Sequence, residues 1–304
     1  MASIAQDGSM SKWMTHIPEN LWEVPLSEIA IPGSHDSFSS RLDPSSEIGP
    51  DVDLTVRLLG PLAKGILNKW SVTQSLNFKM QLSSGIRYFD LRVASRSGTP
   101  NIHFLHTLYG TTVKEGLDEI IDFLDDNKKE IVILDFNHFY QMCEDQHQEF
   151  LKMLIEKCGE KLCLFVGIEN LTLNMLWENG LQIVIVYHHK IAAEICHVWP
   201  GSTCVSYWPE TTNVHKMFDC LNNVTRKENE GHFKVCQCVL TPDTGYILKH
   251  MNGSILENFA KKVMPDVMRW LARQKRGKCG INIVIVDHIE LDEFAKSVIS
   301  LNFC

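Results

Sequence analysis

Residues Glu130–Phe136 read EIVILDF, a β-branched and leucine run whose only interior charge is Asp135. Apolar residues at consecutive rather than alternate positions, over a stretch too short for a helix, mark a strand covered on both faces. The same signature recurs at Gln182–Tyr187 (QIVIVY) and Ile281–Val286 (INIVIV). Working outward, further strands are expected at Ser27–Pro32, Gly85–Val93 (GIRYFDLRV), Ile102–Leu105, Leu162–Val166, Thr203–Tyr207 and Val235–Leu240. Helical spacing of apolar residues appears at Leu54–Trp70 (interrupted by Pro61), Val113–Asn127, Gln146–Lys157, Asn174–Asn179, Glu257–Lys275 and Asp292–Leu301, while Ser39–Gly60 reads as loop. About eight strands alternating with helices, several needing cover on both faces, predict an α/β fold, a single (β/α)₈ TIM-like barrel. A doubly wound open sheet is the structural alternative.

The chain has 304 residues, 44% hydrophobic and 22% charged, which excludes wholesale disorder and fibrous repeats. Its formal net charge of −8 argues against a nucleic-acid partner, although one local basic pocket is compatible with it. No apolar run approaches the roughly 18 residues of a membrane span, and the first residues lack the pattern of a secretory signal. A cytoplasmic location is therefore expected, without separation from a nuclear pool. Residues 1–12 are expected to form a flexible N-terminal segment and 13–304 one catalytic barrel. The ten cysteines are expected to be reduced thiols, and Cys236 and Cys238, in FKVCQCVL, read as strand positions. No glycine-rich dinucleotide or P-loop motif follows a strand.

Polar residues gather at the carboxyl ends of the expected strands: His35 and Asp36; Asp90 and Arg92; His106; Asp135, Asn137 and His138; Asp287 and His288. In a parallel barrel those ends converge on the face that carries active sites. Histidines that exchange protons near neutral pH, carboxylates, and an arginine fork suited to phosphate oxygens could run acid–base chemistry on a phosphate. Each also has a plainer reading: a loop histidine, a structural ion pair at Asp90 and Arg92, a turn cap at Asp287. The residues alone leave a barrel hydrolase or an isomerase open.

Four words stand in order: IPGSHDS at Ile31–Ser37, RYFDLR at Arg87–Arg92, HFLHTLYG at His103–Gly110 and EIVILDFNHFY at Glu130–Tyr140. Together they resemble the catalytic X region of phosphatidylinositol-specific phospholipases C. With KWSVTQ at Lys69–Gln74, the chain from about Trp13 onward resembles the small subfamily of X-domain-containing proteins. The resemblance implies a distorted (β/α)₈ barrel and cleavage between phosphate and diacylglycerol, with the inositol 2-hydroxyl attacking phosphorus to give a cyclic inositol phosphate. His35 matches the general base and His106 the general acid; His103, three residues earlier, would point away. Asp287 matches the residue that orients the base.

The resemblance also bears on calcium. Where the large signalling members carry Glu-x-Asp, this chain has Asp90 and Arg92; it has Asp36 after the first histidine and the neutral Asn137 at the end of the fourth strand. That is the arrangement of the bacterial, metal-independent members, so no metal or other cofactor is expected. Arg92 would stand in for Ca²⁺ against the phosphate, Asp36 would assist His106 or the leaving group, and Asp90 would position Arg92 or the 2-hydroxyl. Trp208, His188, Lys190 and Asn137 are candidate head-group contacts. A phosphatidylinositol-type lipid substrate implies peripheral, transient membrane contact, for which Phe139, Tyr140 or Leu58–Leu59 could supply apolar side chains. The alternatives are a phosphoinositide-binding adaptor that retains the site, a Ca²⁺-dependent enzyme using Asp36 and Asp90, and the same chemistry on another phosphodiester.

Overall fold

The computed structural model describes residues 10–52, 61–229 and 231–304. Its strands are β1 Ile31–Ser34, β2 Tyr88–Ser95, β3 Ile102–His106, β4 Leu108–Thr112, β5 Val132–Tyr140, β6 Ile183–Tyr187, β7 Trp199–Pro200, β8 Cys204–Tyr207, β9 Phe233–Gln237 and β10 Ile283–Val286. Eight of them run in the order β7-β6-β5-β2-β1-β10-β9-β8, every neighbour parallel. The turn Gly201–Thr203 joins β7 to β8 without a ladder between them among the described residues, so the barrel is nearly closed. The expected α/β barrel is the observed fold.

The period of two explains why the strands are apolar throughout. Ile31, Tyr88, Ile133, Val184, Val235, Ile283 and Ile285 fill the barrel interior with Trp199 and Phe233. Their neighbours Phe89, Leu134, Ile185, Val284 and Val286 face outward and pack with Leu117, Ile120, Phe150, Leu154 and Val267 of the surrounding helices. Both faces are buried, so no position tolerates water. The interior is tight at β1: a side chain at Gly33 would place its first carbon 2.8 Å from both Ile285 and Tyr88.

Five expected elements differ. The first strand starts later, because Leu26–Glu28 winds into a 3₁₀ turn behind Pro25 and the ladder opens only at Ile31. Ile102–His106 is not a barrel strand: it pairs antiparallel with β2 and then with β4, forming a hairpin that stands off the barrel. β2 therefore pairs directly with β5, and the eighth strand is the two-residue β7 beside β6, which carries too little pattern to read. Leu162–Val166 makes one bridge, Leu162 to Ile183, and then leaves Leu164, Phe165 and Val166 exposed. The helix expected at Glu257–Lys275 opens with a π turn at Leu256–Ala260 and continues as α at Lys261–Leu271. Helices at Val214–Thr225 and Thr244–Lys249 were not evident in the apolar pattern. The helix expected at Leu54–Trp70 is seen as Pro61–Ser71; its first part, with Leu58 and Leu59, lies outside the described residues. Among the described residues no helix is long and apolar enough to cross a membrane.

Candidate active site

The site is built where β1, β2, β5 and β10 end. The β1 ladder extends one residue beyond Ser34 through His35 N–H to the Val286 carbonyl, 3.2 Å, which fixes where His35 leaves the sheet. Asp36 then turns the chain with φ +40°, a left-handed conformation uncommon for any residue but glycine. The turn is held because Asp36 N–H donates to Asp90 Oδ2 at 2.9 Å and Asp90 N–H donates to Ser37 Oγ at 2.9 Å. On β2, Tyr88, Asp90 and Arg92 share the inward face by the strand period.

His35 Nδ1 lies 2.8 Å from Asp287 Oδ1. A carboxylate can only accept, so Nδ1 carries the hydrogen and Nε2 is left as the nitrogen that takes or gives a proton. Around Nε2 stand Arg92 Nη2 at 3.3 Å, Asp36 Oδ2 at 3.4 Å and Asp90 Oδ2 at 3.9 Å. Burial disfavours a charged ring, but the carboxylates of Asp36, Asp287 and Asp90 outweigh it and raise the His35 pKa to about 9. Burial likewise opposes ionisation of Asp36, yet Arg92, His106 and His35 hold its pKa down to about 2. Arg92 Nε sits 2.8 Å from Asp36 Oδ1.

His106 arrives from the hairpin. Its Nδ1 is 2.9 Å from the Ser71 carbonyl and 3.4 Å from Asp36 Oδ2. The carbonyl again fixes the hydrogen on Nδ1, leaving Nε2 for proton transfer. The buried Asp36 carboxylate thus lies between the two histidines and Arg92. His103, by contrast, turns to the Gly110 carbonyl at 3.0 Å and to Tyr109, off the site.

A second layer lies beneath. Asn137 Nδ2 donates to Asp90 Oδ1 at 2.5 Å, and Asn137 Oδ1 is 2.6 Å from His138 Nδ1. Asp135, buried inside the barrel, accepts from the Tyr88 hydroxyl at 2.5 Å and lies 2.8 Å from His188 Nε2. Burial and that carboxylate push the Tyr88 phenol well above its usual range. For His188, burial lowers the pKa but the Asp135 contact wins and raises it. Burial and Arg92 lower the His138 pKa. Asp135 was counted among the strand-end polar residues but given no role, and Tyr88 was missed as a site group; the signal was a single acid inside an otherwise apolar strand.

Three candidates are not drawn into this centre. Lys190 is exposed and pairs with Glu144 at 2.6 Å, because the turn after β6 points it along the helix Glu144–Cys158. Trp208 is half-exposed on the rim, its Nε1 donating to Thr241 Oγ1 at 2.8 Å. Phe139 packs on Tyr187 and His147, with ring centroids at 4.4 and 4.9 Å, so it belongs to the wall and is no free insertion group. Tyr140 stacks on His138.

Donor atoms of His35, Asp36 and Asp90 lie within 4.8 Å of one another, close enough to share a metal ion. The set does not fit calcium, which takes six to eight oxygens. One of the three donors is an imidazole, and the Arg92 guanidinium already meets both Asp36 and His35 Nε2.

Residues 67–188 match the family described as "Phosphatidylinositol-specific phospholipase C, X domain". Human "PI-PLC X domain-containing protein 3" is 39% identical over 301 residues, covering 97% of this chain and 94% of that protein. Mouse "PI-PLC X domain-containing protein 2" is 41% identical over 295 residues, covering 95% and 87%. Among solved structures, the phosphatidylinositol-specific phospholipase C of Listeria monocytogenes superposes with a TM-score of 0.65 at 19% identity, covering 97% of this chain and 99% of that one; it shares the fold. The chain belongs to the family of PI-PLC X domain-containing proteins.

Proposed function

From that membership and the site geometry we propose that the protein is a metal-independent phospholipase C acting on phosphatidylinositol-type lipids. The observation that carries the reading is the His35–Asp287 pair, whose free Nε2 stands against Arg92, with His106 across the shared Asp36 carboxylate. His35 Nε2 takes the proton from the inositol 2-hydroxyl as its oxygen attacks phosphorus. The bond from phosphorus to the glycerol oxygen breaks, and His106 Nε2 gives that oxygen a proton. Diacylglycerol leaves and a cyclic inositol phosphate forms. Arg92 supplies permanent positive charge to the phosphate oxygens without a metal. Asn137 and His188, held by Asp90 and Asp135, remain the candidate head-group contacts.

The protein works at the cytoplasmic face of a membrane, bound transiently. Trp208, Leu248 and Met251 are exposed in the connections that leave the carboxyl ends of β8 and β9, the end that holds the site. With a net charge of −8, binding rests on these apolar groups more than on attraction to anionic lipid.

The test is release of inositol phosphate from phosphatidylinositol vesicles in EGTA, with His35→Ala as control. Product that vanishes in the variant supports the proposal. Product only after Ca²⁺ addition overturns metal independence. Lipid binding without turnover under either condition overturns the enzyme reading in favour of an adaptor.

A further inference from the structure

The segment Ser71–Ser75, within the KWSVTQS stretch, touches every loop that bears the proposed proton-transfer groups. The Ser71 carbonyl takes His106 Nδ1 at 2.9 Å. Thr73 Oγ1 donates to the His35 carbonyl at 3.0 Å, and the Thr73 carbonyl accepts from His288 N–H at 2.7 Å. Gln74 does most. Its Nε2 donates to the His35 carbonyl at 3.0 Å and to the Val286 carbonyl at 2.9 Å, while its Oε1 accepts from Ile289 N–H at 3.2 Å. Its own N–H donates to Ser39 Oγ at 2.8 Å, and its side chain is fully buried.

We propose that Gln74 is a positioning residue: its amide ties the loop after β1 to the loop after β10 and so sets the distance between His35 and Asp287. Both hydrogens of one amide are spent on carbonyls flanking the pair, one at His35 itself and one at the residue before Asp287. The acceptor is spent two residues beyond Asp287. Thr73 seconds the same grip from the His35 side. An amide is the one uncharged side-chain group that bridges two acceptors and a donor in this way. Burial keeps water from competing for them. In its catalytic consequence the inference rests on the function proposed above; in its structural content it does not.

A second buried glutamine provides the control. Gln182 Nε2 lies 3.2, 2.9 and 3.1 Å from the carbonyls of Leu124, Asn127 and Glu130, which share its two hydrogens at the opposite end of the barrel. Gln74→Met and Gln182→Met each remove a buried amide while keeping chain length and most of the volume. The readout is the low-field imidazole proton of His35 Nδ1, identified by its loss in His35→Ala, followed against pH by NMR. The groups facing this ring are Asp36 and Asp90 from the β1 and β2 ends, Asp287 from the β10 end, and Arg92.

Gln74→Met is expected to weaken or broaden that signal and move the ring's titration from about 9 toward its ordinary 6.5. It should lower kcat about 100-fold with KM within about twofold, as a misplaced base does. Gln182→Met should lower Tm but leave the signal and titration as in the wild type. An unchanged His35 titration in folded Gln74→Met overturns the inference. If Gln74→Met does not fold, Thr73→Val is read in the same way, with Thr73→Ser expected to recover most of the signal; a signal unmoved by Thr73→Val overturns the inference there too. A shifted titration in a protein that turns over no lipid upholds the positioning role and sinks the catalytic reading.

Discussion

At the amino-terminal end of the barrel Arg87 and Glu130 form a closed pair; at the carboxyl end His35, Asp36, Asp90, Arg92 and Asp287 form an open one. Arg87 gives Nε and Nη2 to Glu130 Oε2 at 3.0 and 2.7 Å, and its other hydrogens go to the carbonyls of Leu82, Ile86 and Ser11. Glu130 further accepts from Met14 N–H, Thr15 N–H and the Thr15 hydroxyl. Both side chains are wholly buried and every group has a partner. At the other end the ring of His35 and the guanidinium of Arg92 keep 13% and 19% exposure, and the charges crowd one carboxylate instead of pairing off. The first arrangement ties the segment before β1 to β2 and β5. The second holds unspent proton affinity and positive charge beside an opening, which is what a reacting phosphate needs.

The largest expected effect of breaking the open end is on turnover. His35→Ala should lower kcat by about 10³–10⁴-fold, measured on phosphatidylinositol vesicles, with the circular dichroism spectrum and Tm close to wild type. Breaking the closed end should do the reverse. Glu130→Gln leaves a buried, unpaired guanidinium and should cost about 3–5 kcal/mol by denaturant titration, while kcat per folded molecule stays unchanged. A large activity loss in folded Glu130→Gln would abolish the contrast between the ends.

Arg92→Lys sharpens the comparison, because it keeps the charge and removes the fork. Loss of about 10²-fold in kcat, with no rescue by Ca²⁺, is expected from steady-state rates. A smaller effect is one of pH. His35 must be neutral to act as base, so kcat/KM of the free enzyme should rise with pH, reach half its maximum near 9 and level off above that. Asp287→Asn removes one of the carboxylates that raise this pKa, so the rising limb should move to lower pH while the plateau falls. The same shift links to stability: the contribution of charged His35 is fully present below its unfolded value of roughly 6.5 and is lost as pH rises through about 9. The smallest effect belongs to the rim. Trp208→Ala should weaken vesicle binding by about 1 kcal/mol, about fivefold in sedimentation, and leave cleavage of a water-soluble inositol phosphodiester intact.

How much of this was legible varies by element. The strands β5, β6 and β10 declared themselves, since burial on both faces leaves an all-apolar run in the chain. The hairpin β3–β4 did not, because strand composition is the same whether a strand joins the barrel or folds back on its neighbour; the direction of pairing is a tertiary choice. His35, Asp36, Asp90, Arg92 and His106 could be singled out as candidates because short words carry them, and Asp287 because it ends an apolar strand; the structure brings the six side chains together. Asp135 and Gln74 were noted, one as a strand-end acid and the other within KWSVTQ, but neither was given a role. A buried acid and a buried amide are told from surface ones only by what they touch, here Tyr88 and His188 for the one and the His35 and Val286 carbonyls for the other.

The sequence by itself determined the alternation of apolar strands and helices, hence the barrel class, and which histidines, carboxylates and arginine leave the strand ends. Only the tertiary structure decided that Asp36, in a left-handed turn, lies among His35, His106 and Arg92, that Lys190 is turned away to Glu144, and that β7 rather than β3 completes the wall. The physical reason is range. Burial and propensity act on a residue and its near neighbours, so they are written locally. Charge placement and proton affinity depend on groups brought from positions 36, 90 and 287 to within a few ångströms of one ring, and only the folded chain sets those distances.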